Sequence, residues 1–395
     1  MFRSTIQFLP ASLLKPEMEL LVYCCRIHLS EKAIERIKDL SQQRIDWNYM
    51  VQIANNHQVI QIVYQNLSQI CPNALPKNIR ENLKSNYYAN LLRNSFLLQE
   101  LIELQGLLDK HNLKAIFFKG AALAISAYGN EDLRQYNDID ILVEENYFQT
   151  TADLLTASGY ELSIDVPWEI HLSKNELCSI DLHRYIVPQH LCCSLNADYI
   201  WNNVKSIALS DRQIPVLSPE VELLVLCLNG AKECWRNLNR ICDVDAVIQA
   251  HPQLNWIKII QHADEHGFKR IILLGVLLAH RYLETPIPEV VWQQQDGKIL
   301  SLMAEVDVQL ALNNFAAVDE IERTLFHIKA RERWQDQLQS LLGLLNHSGW
   351  MTITPKDREF LPLPKWLGFL YYLIRPLRIL QKYKFDLLKY FKFSK

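Results

Sequence analysis

The chain predicts an α+β fold in which a small mixed β-sheet core sits between helical N- and C-terminal regions. Three observations carry that expectation. Apolar residues recur at three and four from about residue 17 to 110, and again after Ser218. Between Leu113 and Ile186 the apolar period shortens to that of strands. Glycine is scarce, at 11 residues, and proline modest, at 15, which disfavours a turn-rich all-β architecture.

The N-terminal elements follow from their spacing. Ala33-Ile34-Ile37-Leu40 and Met50-Ile53-Ala54 each form one helical face, and Asp46 is placed to cap the helix that opens at Trp47. A long amphipathic helix running from Leu91 to Leu108 then delivers the chain to the core. There, Lys114–Phe118 reads as a short buried strand ending at Gly120, followed by a short helix from Ala121 to Tyr128. Ile139–Val143 is a second strand, and Tyr147–Ser158 a helix that Gly159 ends. Three more strand-like runs span Tyr160–Val166, Trp168–Leu172 and Leu177–Ile186, with Asn175 and Glu176 as the turn between the last two. From Ser218-Pro219-Glu220, an N-cap with proline and acid in the first turn, the chain reads as helical through Leu345. The expected divisions are 1–110 (helical), 111–190 (α/β core), 191–360 (helical) and 361–395 (a basic, aromatic tail).

The net charge of −3 gives no global nucleic-acid signal, so any such binding would rest on a local patch. Nine cysteines are scattered without a C-x-x-C pair, even at Cys24-Cys25 and Cys192-Cys193, and read as buried thiols in a reducing compartment. The early residues lack a signal-peptide apolar stretch, and no run is long enough to span a membrane. A cytoplasmic location is expected. In the tail, eight Lys/Arg between Lys365 and Lys395 interleave with aromatics such as Trp366, Phe369 and Tyr371. The preferred reading for residues 365–380 is a helix that docks its aromatic face on the body. Peripheral membrane contact or an RNA-binding surface are the alternatives.

The chemistry concentrates in Asn137-Asp138-Ile139-Asp140-Ile141-Leu142-Val143. Along a strand Asp138 and Asp140 face one way while Ile139 and Ile141 enter the core. Two neighbouring carboxylates raise each other's pKa unless a cation intervenes, so the pair points to a divalent metal and phosphoryl-type chemistry. Asn229, Lys232, Glu233, Arg236, Arg240 and Asp243 form a polar helical stripe read as a solvated face, with Lys232 and Asp243 facing the cleft to contact base or acceptor as the alternative.

Lys119-Gly120-Ala121-Ala122-Leu123, Tyr128, Arg134, the Asp138-x-Asp140 strand and Asp181-Leu182-His183 together resemble a bacterial family of uncharacterised nucleotidyltransferase-like proteins within the DNA polymerase β-like superfamily. The similarity extends to Ile45-Asp46-Trp47, the Trp235 region and Tyr371–Pro376, so it covers most of the chain. It implies a metal-dependent transfer of a nucleoside monophosphate from a nucleoside triphosphate to an acceptor hydroxyl on a small molecule, protein or RNA. Asp138, Asp140 and Asp181 would be the catalytic carboxylates and hold Mg²⁺ or Mn²⁺. Lys119, Gly120, Arg134 and His183 would bind substrate, with Gly120 letting the backbone approach phosphate and Arg134 serving as a phosphate fork or else as a partner that fixes an aspartate. The serine common after that glycine in the superfamily is Ala121 here, which removes one phosphate contact. The alternative is a catalytically inactive module of antitoxin type that binds a nucleotide, RNA or protein.

Overall fold

The computed structural model describes residues 15–175, 178–186, 195–312, 320–347, 361 and 365–371. Five helices open the chain: α1 (Pro16–Cys24), α2 (Glu31–Ser41), α3 (Trp47–Asn56), α4 (Ile60–Ile70) and α5 (Lys77–Lys110). Asp46 caps α3 as its spacing predicts, accepting from the Tyr49 N–H at 3.1 Å. The core follows with β1 (Ala115–Phe118), α6 (Gly120–Ser126), β2 (Ile139–Val143), α7 (Phe148–Ala157), β3 (Glu161–Val166), β4 (Glu169–Lys174) and β5 (Cys178–His183). After α8 (Ala197–Trp201) come β6 (Val204–Leu209) and β7 (Arg212–Leu217). The remaining helices are α9 (Pro219–Lys232), α10 (Leu238–Ala250), α11 (Trp256–Glu265), α12 (Lys269–Leu283), α13 (Glu289–Trp292), α14 (Gly297–Leu312), α15 (Glu320–Ala330) and α16 (Trp334–His347).

The architecture is α+β, around one mixed sheet in the order β3-β4-β5-β2-β1-β7-β6. The β6–β7 hairpin lies in the stretch read from sequence as helical, so the sheet extends past residue 190. Its Ser210 turn (φ 53) joins strands whose Ile207, Leu209, Ile214 and Val216 repeat at two. Pro215 masks that signal, since proline is unusual inside a sheet. Asn175 adopts a left-handed conformation (φ 54) after β4, as expected of a turn residue, whereas Glu176 lies outside the described residues. The chain also breaks between Ala330 and Trp334, where a continuous helix was expected. Arg331 is fully buried in this break and donates to the Gly267 carbonyl at 3.2 Å.

Alternation along the strands divides the sheet into two faces. Phe117, Ile141 and Ile180 face Leu97, Leu101 and Leu104 of α5 together with Phe148 and Leu155 of α7. On the opposite face Ile116, Phe118 and Leu142 meet Val221 and Val225 of α9. The helical regions on either side of the sheet share a single core, in which Leu20 and Ile60 pack with Leu228, Trp235 and Leu274. Trp235 is a fully buried wedge (φ 55) between α9 and α10. A methyl group on Gly230 or Gly275 would come within 2.5–2.7 Å of its indole, so both helices approach it only at glycine.

All seven described cysteines are buried and free, while Cys192 and Cys193 lie outside the described residues. Among the described residues no helix is long and apolar enough to cross a membrane. In the tail, Tyr371 is buried and donates to the Leu361 carbonyl at 2.9 Å, while residues 372–395 lie outside the described residues.

Candidate active site

The sheet brings the sequence-predicted acids together through register. Parallel pairing of β2 with β5 sets Asp140 directly beside Asp181 and Leu142 beside His183. On the far side, antiparallel β4 opposes His171 to Asp181 and Glu169 to His183. Four polar side chains therefore stand next to Asp140 on the sheet face that α9 covers. Asp140, Asp181 and His183 each offer a ligand atom, all within 4.8 Å of one another. Asp138, which enters β2 from a half-buried loop position, does not join that group.

These side chains form a connected network. Asp140 Oδ1 accepts from Lys119 Nζ at 3.0 Å and lies 3.0 Å from His183 Nε2. No described residue donates to the second oxygen of Asp140. His171 Nδ1 sits 2.6 Å from Asp181 Oδ1. Glu169 lies between the two histidines, 3.0 Å from His183 Nδ1 and 3.4 Å from His171 Nε2. The His183 contact has ion-pair distance without hydrogen-bond alignment. Glu169 and His171 were missed in the sequence; their only signal is period-two alignment in a strand whose register on its hairpin partner was unknown.

The environment sets the three carboxyls apart. Burial acts to raise the pKa of Asp140, but the Lys119 cation and His183 overcome it and hold the group far below the usual carboxylate range. Burial lifts Asp138 to about 6, reinforced by the like charges of Asp140 and Asp181 and opposed by Lys119 and Arg134. Asp181 is also raised, by burial and by Asp140, against the pull of His171 and His183.

Lys119 and Gly120 make the turn that leads from β1 into α6. Both have positive φ, 54 and 41, and Lys119 is the costly one because it carries a Cβ. A Cβ on Gly120 would lie 3.1 Å from the Asp138 carbonyl, so this glycine permits close approach of its own chain to the acidic loop. The loop is held from α5: Asn94 Nδ2 donates to the carbonyls of Glu131 and Arg134, and Arg93 donates to Asn137 Oδ1 at 2.8 Å.

Arg134 makes its bidentate fork to Asp243 of α10, at 2.7 and 2.9 Å, and reaches the Gly120 carbonyl at 3.4 Å. Tyr128 donates to the same carboxylate at 2.8 Å. Of the two roles open to Arg134, phosphate fork or partner of an aspartate, its contacts match the second, with an aspartate not foreseen as its partner. Asp243 is fully buried, not solvated. The rest of the polar stripe also departs from a solvated face. Asn229, Lys232, Glu233 and Arg240 line the cavity of about 270 Å³ that Asp138, Asp140 and Asp181 floor. Burial and nearby Lys119 lower the pKa of Lys232, with Glu169 and Glu233 opposing. Asn229 Nδ2 and Arg240 Nε are buried donors without a described partner. Arg236 instead pairs with Glu322 at 2.7 Å.

A protein-family model described as uncharacterised nucleotidyltransferase matches residues 43–284, more than half of the chain. The chain belongs to that family. The matched span runs from the approach to α3 through α12, so both walls of the cavity belong to the nucleotidyltransferase unit. No curated protein matches. A solved structure of the lincosamide antibiotic adenylyltransferase LnuA, lincomycin-bound, is 21% identical, covers 32% of this chain and 83% of that one, and has a TM-score of 0.27.

One buried acid of this family member lies beneath the strained turn. Glu222 of α9 is buried, and burial lifts it to about 7 although its carboxylate accepts the Lys119 backbone N–H. The unfolded chain titrates this group near its ordinary 4.5, so the folded state holds the extra proton between 4.5 and about 7. Its contribution to stability is therefore full below 4.5 and is lost as the pH rises through 7. Glu222→Gln is expected to equal the parent at low pH and to exceed it above neutrality by up to about 3 kcal/mol. Chemical denaturation of both proteins across the pH range checks this; an offset independent of pH would remove Glu222 as the cause.

Proposed function

We propose that this protein transfers a nucleoside monophosphate from a nucleoside triphosphate to an acceptor hydroxyl, using a divalent metal. The observation that carries the reading is the convergence of Asp140, Asp181 and His183 at the base of a cavity walled by cations, in a chain of a nucleotidyltransferase family. The donor set fits Mg²⁺ or Mn²⁺: hard carboxylate oxygens, with raised pKa values at Asp138 and Asp181 that a dication would relieve. Asp138, Asp140 and Asp181 would hold the ion, Asp138 contributing from the loop that enters β2. When bound, such an ion supplies neutralisation of the triphosphate and of the charge that develops during transfer.

The protein's own groups supply the rest. Lys119, Lys232 and Arg240 offer positive charge along the cavity, and the orphaned donors of Asn229 and Arg240 are ready for phosphate oxygens. His183 fixes the orientation of Asp140, while Arg134 and Gly120 hold the turn that presents Lys119. In the transfer, the acceptor oxygen bonds to the α-phosphorus, the bond from that phosphorus to the β-bridging oxygen breaks, and pyrophosphate leaves. The acceptor's proton passes to Asp181, whose raised pKa and His171 partner suit it to the task.

A second reading rests on a specific contact. Lys119 pairs directly with Asp140 at 3.0 Å, as it would in an idle module that binds a nucleotide, RNA or protein and has replaced the ion by a lysine. Equilibrium binding of each labelled nucleoside triphosphate with Mg²⁺ or Mn²⁺ tests the proposal, with Asp138→Ala/Asp140→Ala as control. Metal-dependent binding lost in the control, with pyrophosphate released on adding cell extract as acceptor source, is the expected result. Binding without pyrophosphate release favours the idle module, and no binding of any nucleotide rejects the transferase reading.

A further inference from the structure

We propose that the closing turn of α11 is a binding site for one dication of the zinc class, held by His262, Glu265 and His266. Their ligand atoms, one from each side chain, all lie within 4.8 Å of one another. None of the three lines the cavity that holds Asp140 and Asp181. Two histidines four positions apart share one face of a helix, a spacing that suits imidazole ligation of a single zinc-like ion. Glu265, three positions after His262, adds a carboxylate oxygen.

The decisive side chain is His262. It is 8% exposed, and its Nε2 is buried without a hydrogen-bond partner among the described residues. A buried polar atom left in that condition destabilises the fold, a cost that a metal bond at Nε2 would offset. The neighbouring groups also suit metal binding. His266 Nδ1 lies 2.8 Å from the His262 carbonyl, so this nitrogen carries the proton in the neutral ring and Nε2 keeps its lone pair. Tyr199 stacks on His262 with ring centroids 3.8 Å apart and planes 14° apart, forming one wall. Glu265 is exposed and accepts only a weak neutral bond from Gln261 at 3.0 Å, which an ion readily displaces.

Three protein ligands of type N, N and O leave further positions to water. Imidazole nitrogens select zinc and its transition-metal neighbours over magnesium, which separates this site chemically from the carboxylate set in the cavity. An ion here would tie α11 to the turn at Gly267 that precedes α12, and so stabilise the folded state.

The test uses the full chain and zinc alone, with no nucleotide, so its outcome is independent of the transferase reading. Zinc stoichiometry and affinity are measured by calorimetry in the Asp138→Asn/Asp140→Asn/Asp181→Asn protein, which lacks the three carboxylates proposed to hold an ion in the cavity, and again after adding His266→Gln. The first protein is expected to bind one zinc and to melt at higher temperature with it. His266→Gln should weaken binding by about 10-fold or more and abolish the thermal shift. Glu265→Gln, at an exposed position that cannot unfold the helix, should weaken binding to a smaller degree. Unchanged zinc affinity in the His266→Gln and Glu265→Gln proteins overturns the proposal, as does no zinc bound in millimolar metal.

Discussion

Asp140→Asn is expected to keep the fold and lower the proposed nucleotidyl transfer by at least about 10²–10³-fold, the scale seen when one preorganised electrostatic group is removed from an active site. Asparagine preserves the shape and an Oδ1 acceptor for Lys119 and His183, so the network can persist while its negative charge is gone. Asp140 is the appropriate position because its carboxyl stays ionised through the whole physiological range, unlike Asp138. Turnover of labelled triphosphate, followed alongside circular dichroism, separates the two effects. Residual transfer within a few-fold of the parent would take Asp140 out of the chemistry.

The second large effect concerns stability. Arg134→Met is expected to cost about 3–5 kcal/mol in urea denaturation, because it leaves the fully buried Asp243 carboxylate without its cation. Tyr128 still donates to that carboxylate but carries no charge to balance it. The double variant Arg134→Met/Asp243→Leu should recover most of the loss, since a buried ion pair replaced by apolar residues is often neutral. A cost below about 1 kcal/mol for the single variant would mean that water reaches the pair. Because Arg134 also holds the Gly120 carbonyl, the single variant should loosen the Lys119 turn as well.

Local signals carried much of the fold. The caps at Asp46 and Ser218, the strand at Ile139–Val143 and the alternation through Asp181 and His183 were legible because each depends on neighbours within a few residues. Period two placed Asp138 and Asp140 opposite the core-facing Ile139 and Ile141, which are buried as expected. What the sequence withheld was pairing. Asp140 meets Asp181 only because β2 and β5 run parallel in that register, and the register is a product of the whole sheet. His171 and Glu169 gained meaning only when the register of β4 on β5 was fixed. Arg134 and Asp243 lie 109 residues apart and find each other through the docking of α10. The stripe on α9 and α10 has the pattern of a solvated face, and helical periodicity cannot distinguish bulk water from a water-filled cavity. The β6–β7 hairpin was hidden by Pro215 inside its second strand.

The strand order has a consequence for how this unit can be inherited or engineered. On one side β1 pairs with β2, and on the other with β7, through Phe117 and Val216. Asp138, Asp140, Glu169 and Asp181 all lie before residue 184, yet the strand that closes the edge of β1 and the helices that close the cavity come after residue 211. A fragment cut after the motif would keep all its carboxylates and expose both an unpaired strand and the unmatched charge of Arg134. The motif is therefore not a portable cassette, and the smallest transplantable piece must run through α10.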